Sequence, residues 1–306
     1  TSGEQFGSVV AGSLSSADKY LAVSSPNATV GPFSGAGQVN VYRYNDTTSI
    51  WQSVGTSFDG NITNENYGRD LAMSPDAGRL FVAGESTIDA YVFNAVSDQY
   101  DLVASTPFSA LKLSLSESGD TLLALGTSEV RAFSFDGSSI AQLGSAISHS
   151  IPSSYLDDAD ISLDGNGDMF AFSDPTYDAV GSANLDGKVY FLEWNGSDWQ
   201  SAGIDIEGEQ DGQYITAIDL YTISGIRYAQ ISSSFYDGEY AGEGIVETFI
   251  LRNGNWEQPI DSILGGTSGR RLGEFGVDYQ PYWLLVGSNP NYEGELTTYV
   301  ASVDYG

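Results

Sequence analysis

Apolar and polar residues alternate along this chain in short runs, as in GQVNVYRYN from Gly37, TIDAYVFN from Thr87, EVRAFSFDG from Glu129 and GKVYFLEWNG from Gly187. Recurrence at i, i+3, i+4 and i+7 is rare. Successive side chains of a strand point to opposite faces, so this alternation predicts half-buried strands, and the Gly, Ser, Asn and Asp clusters between runs predict turns. The pattern is all-β, and it repeats. LSSADKYLAVSS from Leu14 aligns without gaps with MSPDAGRLFVAG from Met73, LSESGDTLLALG from Leu115 and LDGNGDMFAFSD from Leu163. YTISGIRYAQIS from Tyr221 and VDYQPYWLLVGS from Val277 are weaker copies.

Each copy has the same internal order. An entering strand (FGSVVAGSL from Phe6, YGRDLAMS from Tyr67) leads through a Ser/Asp/Gly turn to the apolar second strand; the alternating third strand follows. The fourth opens on an aromatic in most copies, as in WQSVG from Trp51 and WQSAG from Trp199. Four antiparallel strands of this length form one propeller blade, and blades that cannot bury both faces alone pack around an axis. The expectation is a single six-bladed β-propeller over residues 1–306, with blades near 6–60, 67–108, 109–150, 156–208, 213–265 and 271–306. The sixth segment ends after its third strand. Two explanations stay open, a three-stranded last blade or a segment of a longer protein.

The order FG, SLS, LAVSSP, GQVNVYRYN, WQSVG and a DG-type connection resembles the FG-GAP-like, integrin-α-type β-propeller repeat across essentially the whole chain, most clearly in blades one, two and four. The resemblance implies a ligand-binding or adhesion platform, often with Ca²⁺ in some blades. A fold carries many functions, so this bears on architecture more than on activity.

Composition narrows the partners. With 41 Asp and Glu against 11 Lys and Arg the formal charge is −30, which disfavours nucleic acid and anionic membranes, both of which bind through clustered cations. No run approaches the roughly 18 apolar residues of a membrane span, so no membrane insertion is expected. The absence of cysteine removes disulfides, thiol nucleophiles and thiolate metal sites. Sequons begin at Asn27, Asn45, Asn61 and Asn195, and the chain opens at Thr1 without a signal-type segment. Together these favour an extracellular or cell-surface glycoprotein, either a mature product or a cut segment.

Candidate chemistry is sparse. Asp164, Asn166 and Asp168 have the 1, 3, 5 spacing of a Ca²⁺ loop, yet the aligned repeats place an ordinary β-turn there and no closing carboxylate follows. Ca²⁺ is therefore an optional ion and no cofactor is required. His149 is the single histidine, without a nucleophile elbow nearby, and reads as a hydrogen-bonded loop residue. Asp157, Asp158 and Asp160, and Glu207, Glu209 and Asp211, are clustered acids. A glycosidase would need two carboxyls about 5–10 Å apart with unequal pKa values, whereas an acidic surface produces chance pairs in number. Gly-rich stretches lack the strand-to-helix context of a phosphate cradle.

Loop length is the stronger signal. The connections between second and third strands nearly vanish in blades two and three but are long in blades four and five: DPTYDAVGSANLD from Asp174 and SSSFYDGEYAGEG from Ser232. They bring Asp174, Tyr177, Asp178, Phe235, Tyr236, Asp237 and Tyr240 to one end of the scaffold, where aromatic faces beside carboxylates suit a protein or glycan ligand. The expectation is a non-catalytic binding, adhesion or assembly module, self-assembly included. The alternative is a Ca²⁺-dependent hydrolase with carboxylates at the axial channel.

Overall fold

In the computed structural model, residues 5–13, 19–178, 185–208, 213–274, 277–280, 283–288 and 295–299 are described. Among them there is no helix, and every strand pairing is antiparallel. The chain divides into two compact units, residues 1–149 and 150–306.

The first unit holds three sheets of consecutive strands. Sheet one is Val10–Ser13, Tyr20–Ser25, Gln38–Asn45 and Ile50–Ser53, with Phe58–Asp59 returning to the third strand. Sheet two is Asp70–Met73, Arg79–Ala83, Ile88–Asn94 and Gln99–Thr106. Sheet three is Lys112–Leu115, Thr121–Leu125, Glu129–Phe135 and Ile140–Gln142, with Ile147–Ser148 returning in the same way. In the second unit, sheet four is Ile161–Leu163, Met169–Asp174, Lys188–Trp194, Trp199–Ser201 and Ile206–Glu207. Sheet five is Ile215–Ile223, Ile226–Ser233, Ile245–Arg252, Asn255–Glu257 and Ile263–Leu264. Sheet six shows three strands, Val277–Gln280, Trp283–Ser288 and Glu295–Tyr299.

The fourth strands differ from the sequence expectation of one short run each. In sheets one, three, four and five the outer strand is cut into two pieces that pair with opposite ends of the third strand. Gly55, Gly144 and Gly203 stand at three of the breaks with φ of 65°, 74° and 83°, a left-handed backbone that a residue with a Cβ adopts at a cost. Among the described residues, sheet two has a single eight-residue outer strand, which carries a β-bulge at Val103.

Sheets pack face to face through their second and third strands. Leu80, Val82 and Tyr91 of sheet two meet Ala22, Val39 and Val41 of sheet one, and Phe81, Ile88 and Ala90 on its other face meet Leu122, Ala124 and Phe133 of sheet three. In the second unit, Met169, Ala171, Val189 and Phe191 of sheet four meet Ile218, Leu220, Ala229 and Ile231 of sheet five. Apolar residues line both faces of the middle strands of sheet two because that sheet is covered on two sides. This burial supplies the main driving force, roughly 2–3 kcal/mol for each fully buried Leu, Ile or Phe.

The first strands are tied laterally as well. Asp70 accepts the Leu113 N–H at 2.6 Å, Asp160 accepts that of Ile218 at 2.9 Å, and Ser162 Oγ accepts that of Leu220 at 2.9 Å. Each pairs a polar side chain on one first strand with an edge amide of the next, so buried donors are satisfied without a continuous ladder.

Candidate functional site

Three sheet-to-sheet junctions share one backbone device. The third strand opens on a glycine (Gly37, Gly187 and Gly244, φ 88°, 79° and 78°), and the chain entering the next sheet lies directly on it. A Cβ on these glycines would run into the backbone of Tyr67, Ile215 and Leu272 respectively. The end of the broken outer strand closes the clasp: Gly60, Gly208 and Gly265 donate their N–H to the carbonyls of Gly37, Gly187 and Gly244 at 2.9, 3.0 and 3.1 Å. Tyr67, Ile215 and Leu272 are buried in the clasps they complete.

The residue before each docked side chain is forced into the left-handed region: Asn66 (φ 50°), Tyr214 (φ 56°) and Arg271 (φ 49°). Asn tolerates that conformation; Tyr and Arg do so at a cost of the order of 1–2 kcal/mol each. These two strained residues enclose one aromatic. The Arg271 guanidinium lies 4.5 Å from the Phe235 ring centre, and Tyr214 meets Phe235 edge-on at 5.5 Å. Tyr155 continues the row, 6.1 Å from Tyr214, whose hydroxyl donates to Asp158 at 2.6 Å. Burial and that carboxylate together push the Tyr214 phenol far above its usual range. Arg271 also pairs with Glu274 at 3.0 Å.

The loop carrying Phe235 is braced from beneath. Glu243 is buried, and its carboxylate accepts the Tyr240 N–H at 3.2 Å and the Gly266 N–H at 2.8 Å. Asp237 accepts from Gly242 N, Gly269 N donates to Ala241 O at 2.9 Å, and Arg271 N donates to Gly242 O at 3.0 Å. The second-to-third loop and the inter-sheet connection are therefore one folded piece. Phe235 and Tyr240 are left 39% and 40% exposed on it.

The loop of sheet four builds a separate group. Asp174 accepts from the Thr176 N–H and hydroxyl, forming an Asx turn. Tyr177 donates to Glu207 at 3.0 Å, which helps hold the Glu207 carboxyl below its usual range after the larger effect of Lys188. The Lys188 ammonium lies between the rings of Tyr177 and Tyr190, 4.8 and 5.0 Å from their centres, and 3.2 and 3.1 Å from Asp205 and Glu207. Those carboxylates outweigh burial and push Lys188 up to about 12. Asp178 is half-buried.

The expected ligand residues thus fall into two groups, Asp174 and Tyr177 around Lys188, and Phe235, Tyr236, Asp237 and Tyr240 on the braced loop. Glu243, an acid of the same loop, is an internal brace. Tyr214, Arg271, Tyr155 and Asp158 were not singled out as binding residues by sequence reasoning. The available signal was register: Tyr214 and Arg271 fall where Asn66 stands before the YG dipeptide.

Asp164 and Asp168 lie around a guanidinium. Arg227 is 2.8 Å from Asp168, 2.5 Å from Glu193 and, through Nε, 3.7 Å from Asp164. Asp164 also caps its own turn by accepting the Asp168 and Met169 N–H groups, while Asn166 is exposed at the tip. Burial and the neighbouring Asp168 push Asp164 up to about 6. Among the described residues no three His, Cys, Asp or Glu side chains are grouped to hold a metal ion. The Asp157 to Asp160 cluster also separates: Asp160 ties first strands and Asp158 holds Tyr214. His149 contacts the Gly126 carbonyl at 3.2 Å.

Two of the four sequons coincide with a repeated hairpin. Asn45 and Asn195 accept the amides two and three residues on, as Asn94 and Asp136 do at the same place in sheets two and three. Asn and the following Ser or Thr are thus turn chemistry there. Asn27 and Asn61 are exposed in loops.

No protein-family model and no curated protein matches the chain in sequence. Solved structures do match in fold. Hydrazine synthase of Kuenenia stuttgartiensis aligns over 99% of this chain and 97% of its own, with a TM-score of 0.57 and 11% identity. A putative 6-phosphogluconolactonase from Bacteroides uniformis aligns over 91% of this chain and 81% of its own, with a TM-score of 0.55 and 14% identity. Both are propeller-like folds of antiparallel sheets. At such identities the likeness concerns fold alone: this chain is an all-β protein of antiparallel, largely four-stranded sheets, of the propeller-like class.

Proposed function

We propose that the chain is a non-catalytic, extracellular binding module, a six-bladed β-propeller of FG-GAP-like type whose ligand is taken by the loop end of sheets four to six. The FG-GAP reading is supported by the clasp, since the YG and LG dipeptides at Tyr67 and Leu272 are its docking elements. Gly68 and Gly273, at φ 85° and 84°, lie against Ser24 and Ser232 of the preceding sheet.

The observation that carries the binding reading is the pair Tyr214 and Arg271. Two bulky side chains are kept in a left-handed backbone, where Asn or Gly would be more stable, and both are spent on an exposed Phe235. Strain retained at a surface aromatic, on a loop braced by buried Glu243, is the mark of a pre-shaped contact surface. Five of the acids are held in ion pairs within the second unit: Asp164, Asp168 and Glu193 around Arg227, and Asp205 and Glu207 on Lys188.

The test is retention of the full chain on the insoluble extracellular material of its source, comparing wild type with a Phe235→Ala/Tyr240→Ala variant. Wild type should be retained and the variant should fall at least tenfold. Equal retention of a folded variant removes the loop end as the binding surface.

A further inference from the structure

The binding reading leaves the ligand open, and the chemistry around Phe235 narrows it. Three aromatic rings, Tyr155, Tyr214 and Phe235, follow one another at 6.1 and 5.5 Å, each at least partly exposed. Around them the polar groups already have partners within the chain. Asp158 already accepts the Tyr214 hydroxyl, and Arg271 is already met by Glu274 and by the Phe235 face. The row therefore presents donors and acceptors together: Arg271 is paired with Glu274, while Asp158 and Asp237 are met by a hydroxyl and a backbone N–H.

A basic peptide gains little here. Its cation could meet Asp158 or Asp237, but on the Phe235 face it would have to displace Arg271, and its side chains leave the rings of Tyr155 and Tyr214 uncovered. A polyanion would meet one guanidinium already paired, on a chain of net charge −30. A pyranose chain has what the row lacks. Its C–H faces cover exposed aromatic rings, and its hydroxyls both donate and accept, so the Arg271 N–H groups and the remaining oxygens of Asp158 and Asp237 gain partners without leaving a charge buried and unpaired.

Resting on the binding-module reading, we propose that Tyr155, Tyr214 and Phe235, with Arg271, Asp158 and Asp237 beside them, form a subsite for a neutral saccharide chain. Tyr214 and Arg271 are then contact residues, and their backbone strain is the means by which their side chains reach Phe235.

Calorimetric titration of the full chain tests this with four probes: a neutral β-glucan hexasaccharide, a neutral mannan hexasaccharide, polygalacturonate and a Lys/Arg-rich peptide. At least one neutral hexasaccharide should bind. Its affinity should change less than twofold between low and high salt and should fall at least tenfold in Phe235→Ala. Tyr214→Phe, which keeps the ring, should bind within threefold of wild type, whereas Tyr214→Asn, which suits the backbone and deletes the ring, should bind at least tenfold more weakly. Thermal unfolding of each variant checks that it is folded, and Tyr214→Asn carries the test if Phe235→Ala does not fold. Polygalacturonate or the peptide binding alone, with loss in Phe235→Ala, leaves a binding surface and overturns the saccharide assignment. A neutral sugar held equally by all variants, or no binding by any probe, overturns the subsite itself.

Discussion

The junction between sheets one and two and the junction between sheets five and six have the same backbone and different side chains. In both, a glycine at positive φ opens the third strand, a second glycine closes the clasp, and an apolar residue docks at the centre. At the left-handed position that precedes docking, the first junction has Asn66, whose side chain donates to Glu85 at 3.1 Å, and the other has Arg271. The four-to-five junction, with Tyr214, sides with the latter. The glycines are demanded by steric necessity. The residue between them is free, and where it departs from the comfortable choice it turns toward an exposed aromatic. Repetition of a geometry therefore marks what holds the sheets together, and local departure from the best residue marks where something else is required.

The sharpest way to break this comparison is to add a methyl group at the shared part. Gly37→Ala and Gly244→Ala each place a Cβ into the backbone of the next sheet's entering chain at a left-handed φ, and each should cost on the order of 3–5 kcal/mol in urea unfolding. A cost below about 1 kcal/mol at either would mean that the junction can shift and that the likeness is superficial.

A smaller effect separates the two middle residues. Asn66→Tyr should destabilise by about 1–2 kcal/mol, because it imposes on the first junction the strain that Tyr214 bears. The opposite exchange, Arg271→Asn, should leave the unfolding midpoint unchanged or raise it by the equivalent of up to about 1 kcal/mol, since relief of strain offsets a half-exposed ion pair worth little. If Arg271→Asn destabilises by more than about 1 kcal/mol, Arg271 is a structural staple and the contrast with Asn66 loses its meaning.

The smallest effect sharpens the contrast between the outward Arg271 and the inward Arg227 of the same unit. Asp164, beside Arg227, has a folded-state pKa near 6, above its unfolded value, so the folded state holds a proton that the unfolded state releases. Stability from this group is present at low pH and is lost as pH rises from about 4 to 6. Asp164→Asn should remove that decline from the urea midpoint measured across the interval, and Arg271→Asn should leave it in place. A wild-type decline that persists in Asp164→Asn would assign the titration to other acids.

Much of the scaffold is legible in the sequence because strand alternation and turn chemistry are local. GQVNVYRYN and GKVYFLEWNG declare their strands, and the Asn45 and Asn195 hairpins follow from residue type. The broken outer strands were hidden because three of the four breaks fall on a glycine that also reads as the end of a strand. The site was legible only in part. Long loops with Phe235 and Tyr240 stand out by length, but the strain at Tyr214 and Arg271 arises from glycines in another strand, and neither residue type announces a left-handed backbone. Arg227 meets Asp164 and Asp168 across some sixty positions, so the local spacing of those acids pointed to a cation of another kind.

The interrupted outer strands have a colloidal consequence. Four of the six sheets have outer strands cut into short pieces, too brief and too kinked to template a neighbouring chain. Residues 99–106 form the longest described outer strand, bulged at Val103, with Leu102 and Val103 exposed and Asp101 as its one charge. When concentrated or salted solutions suppress the mutual repulsion of these highly anionic molecules, that ribbon is where one molecule would begin to stitch itself to the next.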